Sequence, residues 1–418
     1  MSSLSDRFRQ LGVQLGGESL AQRQKHAKYP IETLVDGRFQ VTPVGEAFLV
    51  EKLYPLADMH GNTPLQLISP VEMLAAWAKD ERVATCSTNG YAFLDTETTG
   101  LGGASGTFAF LVGVGRFEVG GFRLAQFFMR DPAEEAAMLT ALDGFLDGCE
   151  TIVSFNGKSF DVPLLNTRYV MQGTLSPLRS LAQLDLLHLA RRLWRERLPS
   201  RTLGNLEVEI LGLDRSEEDV PGWMIPQMYF DYVRSGDARP MKSVLYHNAI
   251  DILSMVTLME IMAGMLAEPL AGENEHTLDM LAVGRLYEDL GYLDKAALII
   301  EQTIERGLPD EHQTAAIERL GYIHKRRGDT SAALSLWWQA AADRQIYAHV
   351  ELAKYYEHRE KNLLEAKRWT QAALAIINAP GYPRFERQLQ EPELTHRLNR
   401  LERKLARGEE VDEDEAEE

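Results

Sequence analysis

The sequence predicts an α/β domain with a mixed sheet flanked by helices, followed by an all-α region of paired helices. Residues 91 to 128 form three extended runs, rich in aromatic and aliphatic residues, that glycines separate. Helical and extended patterns follow one another as far as residue 268, which favours a mixed sheet with helices packed on it. From about residue 272 the strand patterns stop and a helical repeat begins.

Local composition predicts the elements of the α/β domain in order. The runs YAFLD, TFAFLVGVGRF and FRLAQFFM predict a strand meander, and TIVSF predicts a strand after a helix at AAMLTALDGFL. Helical spacing of apolar residues predicts helices at FDVPLLNTRYVM, LLHLARRLW, LGNLEVEILGL, MIPQMYFDYVRSG and SVLYHNAIDILSMVTLMEIM. We assign this domain to residues 84–268. Residues 1–83, which carry weaker patterns, are assigned to an N-terminal extension, in which we interpret the loop residue His60 as structural.

Three segments of the C-terminal region superimpose on one another. They begin RLYEDLGYLDKAAL, RLGYIHKRRGDTSAAL and LAKYYEHREKNLLEAKRW. Each has a turn position followed five residues later by an alanine: Gly291 and Ala296, Gly328 and Ala333, Lys361 and Ala366. The period resembles tetratricopeptide-type helical repeats, which bury a continuous core only by stacking, and an ordinary helical bundle is the alternative. We assign residues 272–380 to the repeats and 381–418 to an acidic tail, which we expect to be disordered.

Composition restricts the setting of the protein. The chain has 418 residues, 45% of them hydrophobic, which is enough for two or three domains. Cys86 and Cys149 cannot form a zinc site alone and favour a reduced environment. The N-terminus lacks the apolar core of a secretory signal, and Glu260 interrupts the most apolar run, 252–271, which we interpret as a buried helix. We therefore expect a cytoplasmic protein that does not bind a membrane.

The charge of the chain restricts its partners. A net charge of −18 argues against a broad basic face that binds duplex DNA nonspecifically, although it does not exclude nucleic acid. Part of the negative charge lies in residues 409–418. Two basic segments, 190–201 and 324–328, fit a solvated helix face or a phosphate contact equally well.

Two carboxylates directly follow apolar residues in the stretch FLDTETTG at 93–100. In a strand, Asp95 and Glu97 point to the same face, because side chains alternate with a period of two. Like charges held this close repel each other. A divalent metal coordinated by carboxylate oxygens is the common way to offset that repulsion, so we expect further ligands elsewhere in the chain.

The expected partners occur in two later motifs. In SFNGKSFDVPLL, Asp161 opens a helix directly after a strand, and Asn156 lies in the loop between them. In LYHNAIDILS, Asp251 lies on the last long helix of the domain. A lone Asp-x-Glu is a weak signal, whereas its combination with these two motifs is specific.

The order of these residues resembles the DEDD exonuclease superfamily, whose members fold like ribonuclease H. Asp95-x-Glu97, then Asn156 to Asp161, then Asp251 carry the resemblance, which covers about residues 91–266. The phrases GTFAFLVGVG and SFNGKSFD, together with the helical repeats at about 278–380, are similar to the YprB-like group within it. The resemblance implies a ribonuclease H-like fold for the α/β domain.

The resemblance also implies the roles of individual residues. Asp95, Glu97, Asp161 and Asp251 would bind two divalent ions, Mg²⁺ or Mn²⁺. The candidates for contact with substrate are Thr96, Thr98, Leu101 and Asn156, although the first three could equally complete the strand and turn.

In the superfamily, a histidine five residues before the last aspartate, or a tyrosine four before it, assists the attacking water. This chain has Tyr246 five residues before Asp251 and His247 four before it, so the identities are exchanged. We favour His247, because residues at i and i+4 share a helix face and imidazole accepts a proton near neutral pH.

These inferences lead to an expected function with two rivals. We expect a metal-dependent nuclease that removes nucleotides from a 3′ end of DNA or RNA, with repeats that recruit a protein partner. A structure-specific endonuclease of the same fold is the first rival. The second is a non-catalytic protein that binds nucleic acid or acts as a scaffold, since fold alone does not determine function.

Overall fold

The computed structural model describes residues 29–100, 106–271 and 276–416, with side chains described as far as residue 407. The chain divides into two compact units, Met1–Pro269 and Leu270–Glu418. Leu101, one of the expected substrate contacts, lies outside the described residues.

A seven-stranded mixed sheet forms the centre of the first unit. Its spatial order is β1 (Gly37–Thr42), β2 (Gly45–Tyr54), β7 (Gly121–Phe128), β6 (Ala109–Glu118), β5 (Tyr91–Thr98), β8 (Thr151–Ser154) and β9 (Ala182–Asp185). Strands β5, β8 and β9 are parallel to one another, and the remaining neighbours are antiparallel. A separate two-stranded ribbon pairs β3 (Met59–His60) with β4 (Thr63–Pro64). The predicted mixed sheet is confirmed.

Two strands of this sheet lie in the segment that we assigned to an N-terminal extension. β2 pairs with β7 along its length, from Phe48 opposite Phe128 to Tyr54 opposite Phe122. Ala47, Phe48 and Leu49 on β2 are each only 1% exposed. Residues 37–54 are therefore part of the sheet, and their burial against β7 stabilises strands that their own mixed polar sequence predicts only weakly.

Helices pack on this sheet and supply its remaining core. They are α1 (Glu72–Ala78), α2 (Arg82–Thr85), α3 (Glu135–Leu146), α4 (Asp161–Met171), α5 (Leu186–Leu193), α6 (Leu203–Leu206), α7 (Ile225–Ser235) and α8 (Met241–Ala267). A π-helical turn, Glu207–Leu211, directly follows α6.

Helix α8 contains the most apolar run of the sequence. By length and composition it could cross a membrane, but 61% of its most apolar window is buried inside the protein. Val244, Ile252, Val256 and Met259 on α8 are fully buried. The helix therefore serves as a core element, as the sequence predicts.

A close approach of side chains on α8 to the backbone of β6 positions the helix against the sheet. Gly113 on β6 lies opposite Asp95 on β5. A Cβ atom at Gly113 would collide with the Asn248 side chain on α8 and would also overlap Ile252 Cδ1. Glycine at this position lets the polar part of α8 reach the strand that carries Asp95.

The second unit is helical throughout its described part. Its helices are α9 (Thr277–Asp289), α10 (Leu293–Arg306), α11 (Asp310–Arg327), α12 (Thr330–Ala342), α13 (Ile346–His358), α14 (Leu363–Ile377) and α15 (Arg384–Ala416). The three alanines that the sequence aligns, Ala296, Ala333 and Ala366, are all fully buried. This burial is compatible with stacked helical repeats.

The turn between paired helices keeps its geometry in all three segments, although its residue changes. Gly291 and Gly328 have φ of 88° and 81°, and Lys361, which replaces glycine in the third segment, still has φ of 53°. A side chain in this left-handed region is disfavoured, so the packing of α13 against α14 holds Lys361 there.

Helix α15 covers most of residues 381–418, so the prediction that this tail is disordered is corrected. Leu394 and Leu401 are 3% and 0% exposed. The fully buried Glu357 carboxylate accepts hydrogen bonds from Arg397, Arg400 and Lys404 on this helix. Acidic composition predicted disorder, but these apolar and ionic contacts order the helix as far as Lys404.

Candidate active site

Three elements bring the four expected carboxylates into one region of the first unit. Asp95 and Glu97 lie on β5, Asp161 is the first residue of α4, and Asp251 lies on α8. Each of Asp95 and Glu97 is electrostatically coupled to both Asp161 and Asp251. The alternation of β5 thus places its two acids on the face that α4 and α8 reach.

Burial raises the pKa of all four groups, and repulsion from other members of the set adds to the shift at Asp95 and Glu97. Burial raises the pKa of Asp95 well above its usual value, and the Asp251 and Asp161 carboxylates raise it further. The pKa of Glu97 is also raised well above its usual value by burial and then by Asp95. Burial raises the pKa of Asp161 to about 6. Negative charge at this site is therefore unstable without a compensating cation.

Polar side chains hold two of the carboxylates in place. Asn248 Nδ2 on α8 donates to Asp95 Oδ2 at 2.8 Å, and the Asn248 side-chain oxygen accepts from Gln126 Nε2 on β7 at 2.9 Å. Thr96 Oγ1 donates to Asp161 Oδ1. Asn248 and Thr96 therefore orient carboxylates.

Backbone geometry allows Asp161 to approach β8. A Cβ atom at Gly157 would lie 2.6 Å from Ser154 Cβ and 2.9 Å from Asp161 Oδ2. Any larger residue at this position would push the loop away from the start of α4.

Arg215 brings a cation to the edge of the carboxylate cluster. Its guanidinium group makes two hydrogen bonds to Glu207, from Nε at 2.6 Å and from Nη2 at 2.7 Å. Nη2 also donates to Asp251 Oδ1, and Nη1 lies 3.4 Å from Asp219 Oδ2. Burial raises the pKa of Asp251, although the charges of Arg215 and His247 oppose the shift. Arg215 thus supplies part of the positive charge that the cluster requires.

A buried chain of hydrogen-bonded side chains holds Glu207, the carboxylate that binds Arg215. Ser254 Oγ donates to Glu207 Oε1 at 2.6 Å, and His60 Nε2 lies 2.8 Å from Ser254 Oγ. Burial lowers the pKa of His60 to about 4, so the imidazole is neutral near pH 7 and its Nε2–H donates to the serine. His60 therefore has the structural role that its sequence suggests.

His247 and Tyr246 point to different surroundings. His247 Nε2 lies 3.9 Å from Glu97 Oε1 and 3.7 Å from Asp251 Oδ2, and its Nδ1 lies 2.7 Å from Asp219 Oδ1. The Tyr246 hydroxyl instead accepts from the Ser216 backbone N–H at 3.4 Å. Asp219 Oδ1 can only accept a hydrogen bond and Arg215 Nη1, 3.0 Å from the same Nδ1, can only donate one, so Nδ1 can bond with only one of them. The shorter contact, to Asp219, favours the proton on Nδ1, which leaves Nε2 as an acceptor facing the carboxylates.

The remaining expected substrate contacts have local partners. Thr98 Oγ1 donates to the Gly100 carbonyl oxygen at 2.8 Å, which stabilises the turn after β5. Asn156 adopts φ of 69°, and its backbone N–H donates to Asp185 Oδ1 at 2.9 Å. Asp185 also caps α5 through the Leu187 N–H. Asp185 therefore fixes the loop that carries Asn156.

The donor set fits a hard divalent ion, with one adjustment. Carboxylate oxygens are the ligands that Mg²⁺ and Mn²⁺ prefer. In the part of the chain that the structure describes, no three His, Cys, Asp or Glu side chains are already close enough to hold one ion. The carboxylates must therefore move closer together around an ion. Asp251 has to do so although Arg215 holds its Oδ1.

The supporting residues of this site were not predicted from the sequence. Asn248 lies inside the motif LYHNAIDILS, and its position next to His247 is a signal that could have been used. Arg215 is the one basic residue in the acidic stretch LDRSEEDV, and an isolated cation in an acidic loop is a weaker signal. Glu207 and Asp219 could not be found, because their roles depend on where that loop folds.

Comparison with known proteins agrees with this architecture. A protein-family model described as RNase_H superfamily matches residues 92–263. These residues include all four carboxylates. Over 332 residues the chain is 31% identical to the uncharacterized protein YprB of Bacillus subtilis (strain 168), covering 77% of this chain and 79% of YprB. The chain therefore belongs to the YprB family, and residues 92–263 form a domain of the ribonuclease H superfamily.

Proposed function

We propose that this protein is a divalent-metal-dependent nuclease that removes nucleotides from the 3′ end of DNA or RNA. Membership of the ribonuclease H superfamily indicates a nuclease. The observation that carries the finer proposal is the convergence of Asp95, Glu97, Asp161 and Asp251 from β5, α4 and α8, in the order that the DEDD exonucleases share. Four partly buried carboxylates that repel one another have no structural use without a cation.

The four carboxylates are the residues that would hold the ions. When bound, Mg²⁺ or Mn²⁺ supplies an acidified water and stabilises the charge that develops on a phosphodiester. Asn248 keeps Asp95 oriented, and Thr96 keeps Asp161 oriented. Arg215 would compete with an ion for Asp251, because its positive guanidinium group already contacts that carboxylate.

His247 is the group that would receive the proton of the attacking water. Its Nε2 faces Glu97 and Asp251, and Asp219 accepts the hydrogen bond from Nδ1–H. As Nε2 accepts the proton, the imidazolium that forms is stabilised by the Asp219 carboxylate. Tyr246 points towards Ser216 and does not take this role.

Two further parts of the proposal concern the setting. We propose a cytoplasmic location, which the two free, buried cysteines, Cys86 and Cys149, support. We also propose that the helical second unit recruits a protein partner, because stacked helical repeats form extended binding surfaces.

The test is digestion of oligonucleotides that carry a label at the 5′ end or at an internal position, with Mn²⁺ or with chelator. A 3′ exonuclease shortens the 5′-labelled strand in single-nucleotide steps, and a blocked 3′ end stops it. Internal cuts that ignore the block would instead support the endonuclease. No cleavage of DNA or RNA would favour the non-catalytic scaffold.

A matched pair of variants connects cleavage to the carboxylates. Asp95→Asn should lower the rate by more than about a hundredfold, because it removes a charge at the ion site with little change in volume. Asp231→Asn alters an exposed aspartate on α7 and should leave the rate within about twofold. Near wild-type cleavage by folded Asp95→Asn protein would refute the assignment of the site.

A further inference from the structure

A cationic pocket opens on the helical second unit. The cavity has a volume of about 600 Å³ and is formed by α11, α12, α13 and α15. Its lining includes five cations: Lys325, Lys354, Arg359, Arg397 and Arg400. This concentration of positive charge is unusual in a chain of net charge −18.

Two buried glutamates fix the position of most of these cations. Glu351 accepts from Lys325 Nζ at 2.5 Å and from Lys354 Nζ at 2.7 Å. Glu357 accepts from Arg397 Nη1 at 3.1 Å and from Arg400 Nη2 at 2.6 Å. Because each glutamate anchors more than one cation, the pocket keeps an excess of positive charge and its charged groups are preorganised.

Arg397 and Arg400 keep donors that Glu357 does not use. Their Nε atoms are buried without an acceptor among the residues described, so a ligand in the cavity would contact the terminal Nη nitrogens. A guanidinium group has five N–H donors, and Glu357 accepts from only one nitrogen of each arginine. Arg359 is exposed at the rim, in the turn after α13. These groups match the carboxylate, which accepts two N–H groups from a guanidinium fork.

Apolar surface lies beside the cations. Trp337 is only 3% exposed, and Lys325 Nζ lies 5.7 Å from the centroid of its ring. Tyr355 lines the same cavity. The pocket thus combines charge with an aromatic wall against which an aliphatic side chain can pack.

We propose that this pocket binds a short acidic segment, rich in Asp and Glu, of a partner protein. The proposal rests on the proposed role of the second unit in partner binding and specifies the chemistry of that partner. The cavity has room for a few residues of extended peptide. The carboxylates of the bound peptide would replace solvent around the guanidinium and ammonium groups. An aliphatic side chain next to them in the peptide would cover the aromatic wall.

A nucleic acid strand fits this pocket less well than a peptide does. Single strands are bound along a continuous basic groove that follows successive phosphates. Here the cations are confined to one pocket, and the exposed Asp329 and Glu360, next in sequence to lining residues Gly328 and Arg359, interrupt the basic surface beside it, so successive phosphates find no continuous groove, whereas a short acidic segment needs only the pocket.

The chain's own acidic end is also a poor occupant. Helix α15, which carries Arg397 and Arg400, continues to Ala416. At about 1.5 Å per residue, Glu409 lies about 13 Å further along the helix than Arg400 and cannot return to the pocket without unwinding. A partner protein is therefore the source of the segment.

The experiment measures fluorescence anisotropy of a labelled peptide of about ten alternating Asp and Glu residues with a central Leu, titrated with the full chain. Binding should be saturable and should weaken as salt rises from about 50 to about 300 mM, because the attraction is electrostatic. A peptide with Asn and Gln in place of the acids should not bind. A failure to bind the acidic peptide even at the lower salt concentration would overturn the proposal.

Two charge reversals localise the binding. Arg359→Glu changes a pocket cation that anchors neither glutamate and should raise the peptide Kd at least about fivefold. Arg368→Glu makes the same change at an exposed site outside the lining and should leave the Kd within about twofold. Equal effects of the two would overturn the proposal, as would tighter binding of a single-stranded oligonucleotide that competes with the peptide.

The result is independent of cleavage. Asp95→Asn should bind the peptide as tightly as the wild type does, because Asp95 lies in the other unit. Absent peptide binding with intact cleavage would reject the pocket and leave the nuclease in place. Peptide binding by a protein that cleaves no nucleic acid would support the pocket and reject the proposed nuclease.

Discussion

Replacing Arg215 by glutamine should destabilise the protein and, at the same time, strengthen its binding of metal. Arg215 is the only cation that contacts Glu207, whose side chain is 1% exposed, among the residues with described side chains. Removing one partner of a buried ion pair typically costs about 3–5 kcal/mol, because the other charge stays buried without compensation. In a unit of this size each kcal/mol lowers Tm by about 2–4 °C, so we expect a fall of about 6–20 °C.

The same substitution has the opposite effect on metal binding. The Arg215 guanidinium contacts Asp251 and repels any cation that approaches the same carboxylate. At an effective dielectric constant of about 20, a unit charge this close opposes a divalent ion by several kcal/mol. Mn²⁺ should therefore bind Arg215→Gln at least about tenfold more tightly than the wild type, and the Mn²⁺-induced rise in Tm should be larger.

The assay is thermal unfolding with chelator and across a Mn²⁺ titration, supported by calorimetric titration of the ion. Arg234→Gln is the matched control, since Arg234 pairs with Asp231 at an exposed site on α7 and should change stability by less than about 1 kcal/mol. Glu207→Gln combined with Arg215→Gln should be more stable than Arg215→Gln alone, because no charge is then left unpaired. A weaker Mn²⁺ response in Arg215→Gln would refute the competition and make Arg215 a residue that positions Asp251 for the ion.

Two further predictions concern protons. Burial raises the pKa of Asp161 to about 6 and also raises the pKa values of Asp95, Glu97 and Asp251. The folded state therefore binds more protons than the unfolded state does in this range. As a result, the stability of the metal-free protein should fall as pH rises through about 4 to 6. In the presence of chelator, the Tm of the Asp161→Asn variant should fall less steeply with pH than the Tm of the wild type. Identical slopes of Tm against pH in the two proteins would show that Asp161 titrates normally. His247→Ala should slow single-turnover cleavage by at least about a hundredfold while Tyr246→Phe stays within a few-fold, and the reverse order would transfer the role to Tyr246.

The strands and the acidic residues of this site could be predicted because each follows from a local period. The meander of β5, β6 and β7 has the composition of buried strands, and Asp95 and Glu97 differ by one strand period. His247 and Asp251 differ by about one helical turn. Residues that share an element and a period are placed together before any tertiary contact is known.

Other features depend on contacts between distant segments and could not be predicted from one sequence. Helix α15 is ordered by Glu357, which lies on another helix and accepts from Arg397, Arg400 and Lys404. Arg215 lies in a loop, and its meeting with Glu207 requires the π-helical turn that precedes it. Composition described the tail as acidic and the loop as polar, which is correct locally but carries no information about these partners.

The role of Asn248 depends both on local sequence periodicity and on contacts between distant segments. It precedes Asp251 by three positions, so the same turn of α8 that presents Asp251 and His247 also presents an amide. The sequence could place Asn248 on that turn, but its role depends on Gly113, which lets the helix approach β6, and on Gln126, which fixes the amide through its oxygen. Because the fully buried amide donates to Asp95, the orientation of a carboxylate on β5 is determined by residues on two other strands and one helix. A change at Gly113 should therefore disturb the ion site as directly as a change at a carboxylate.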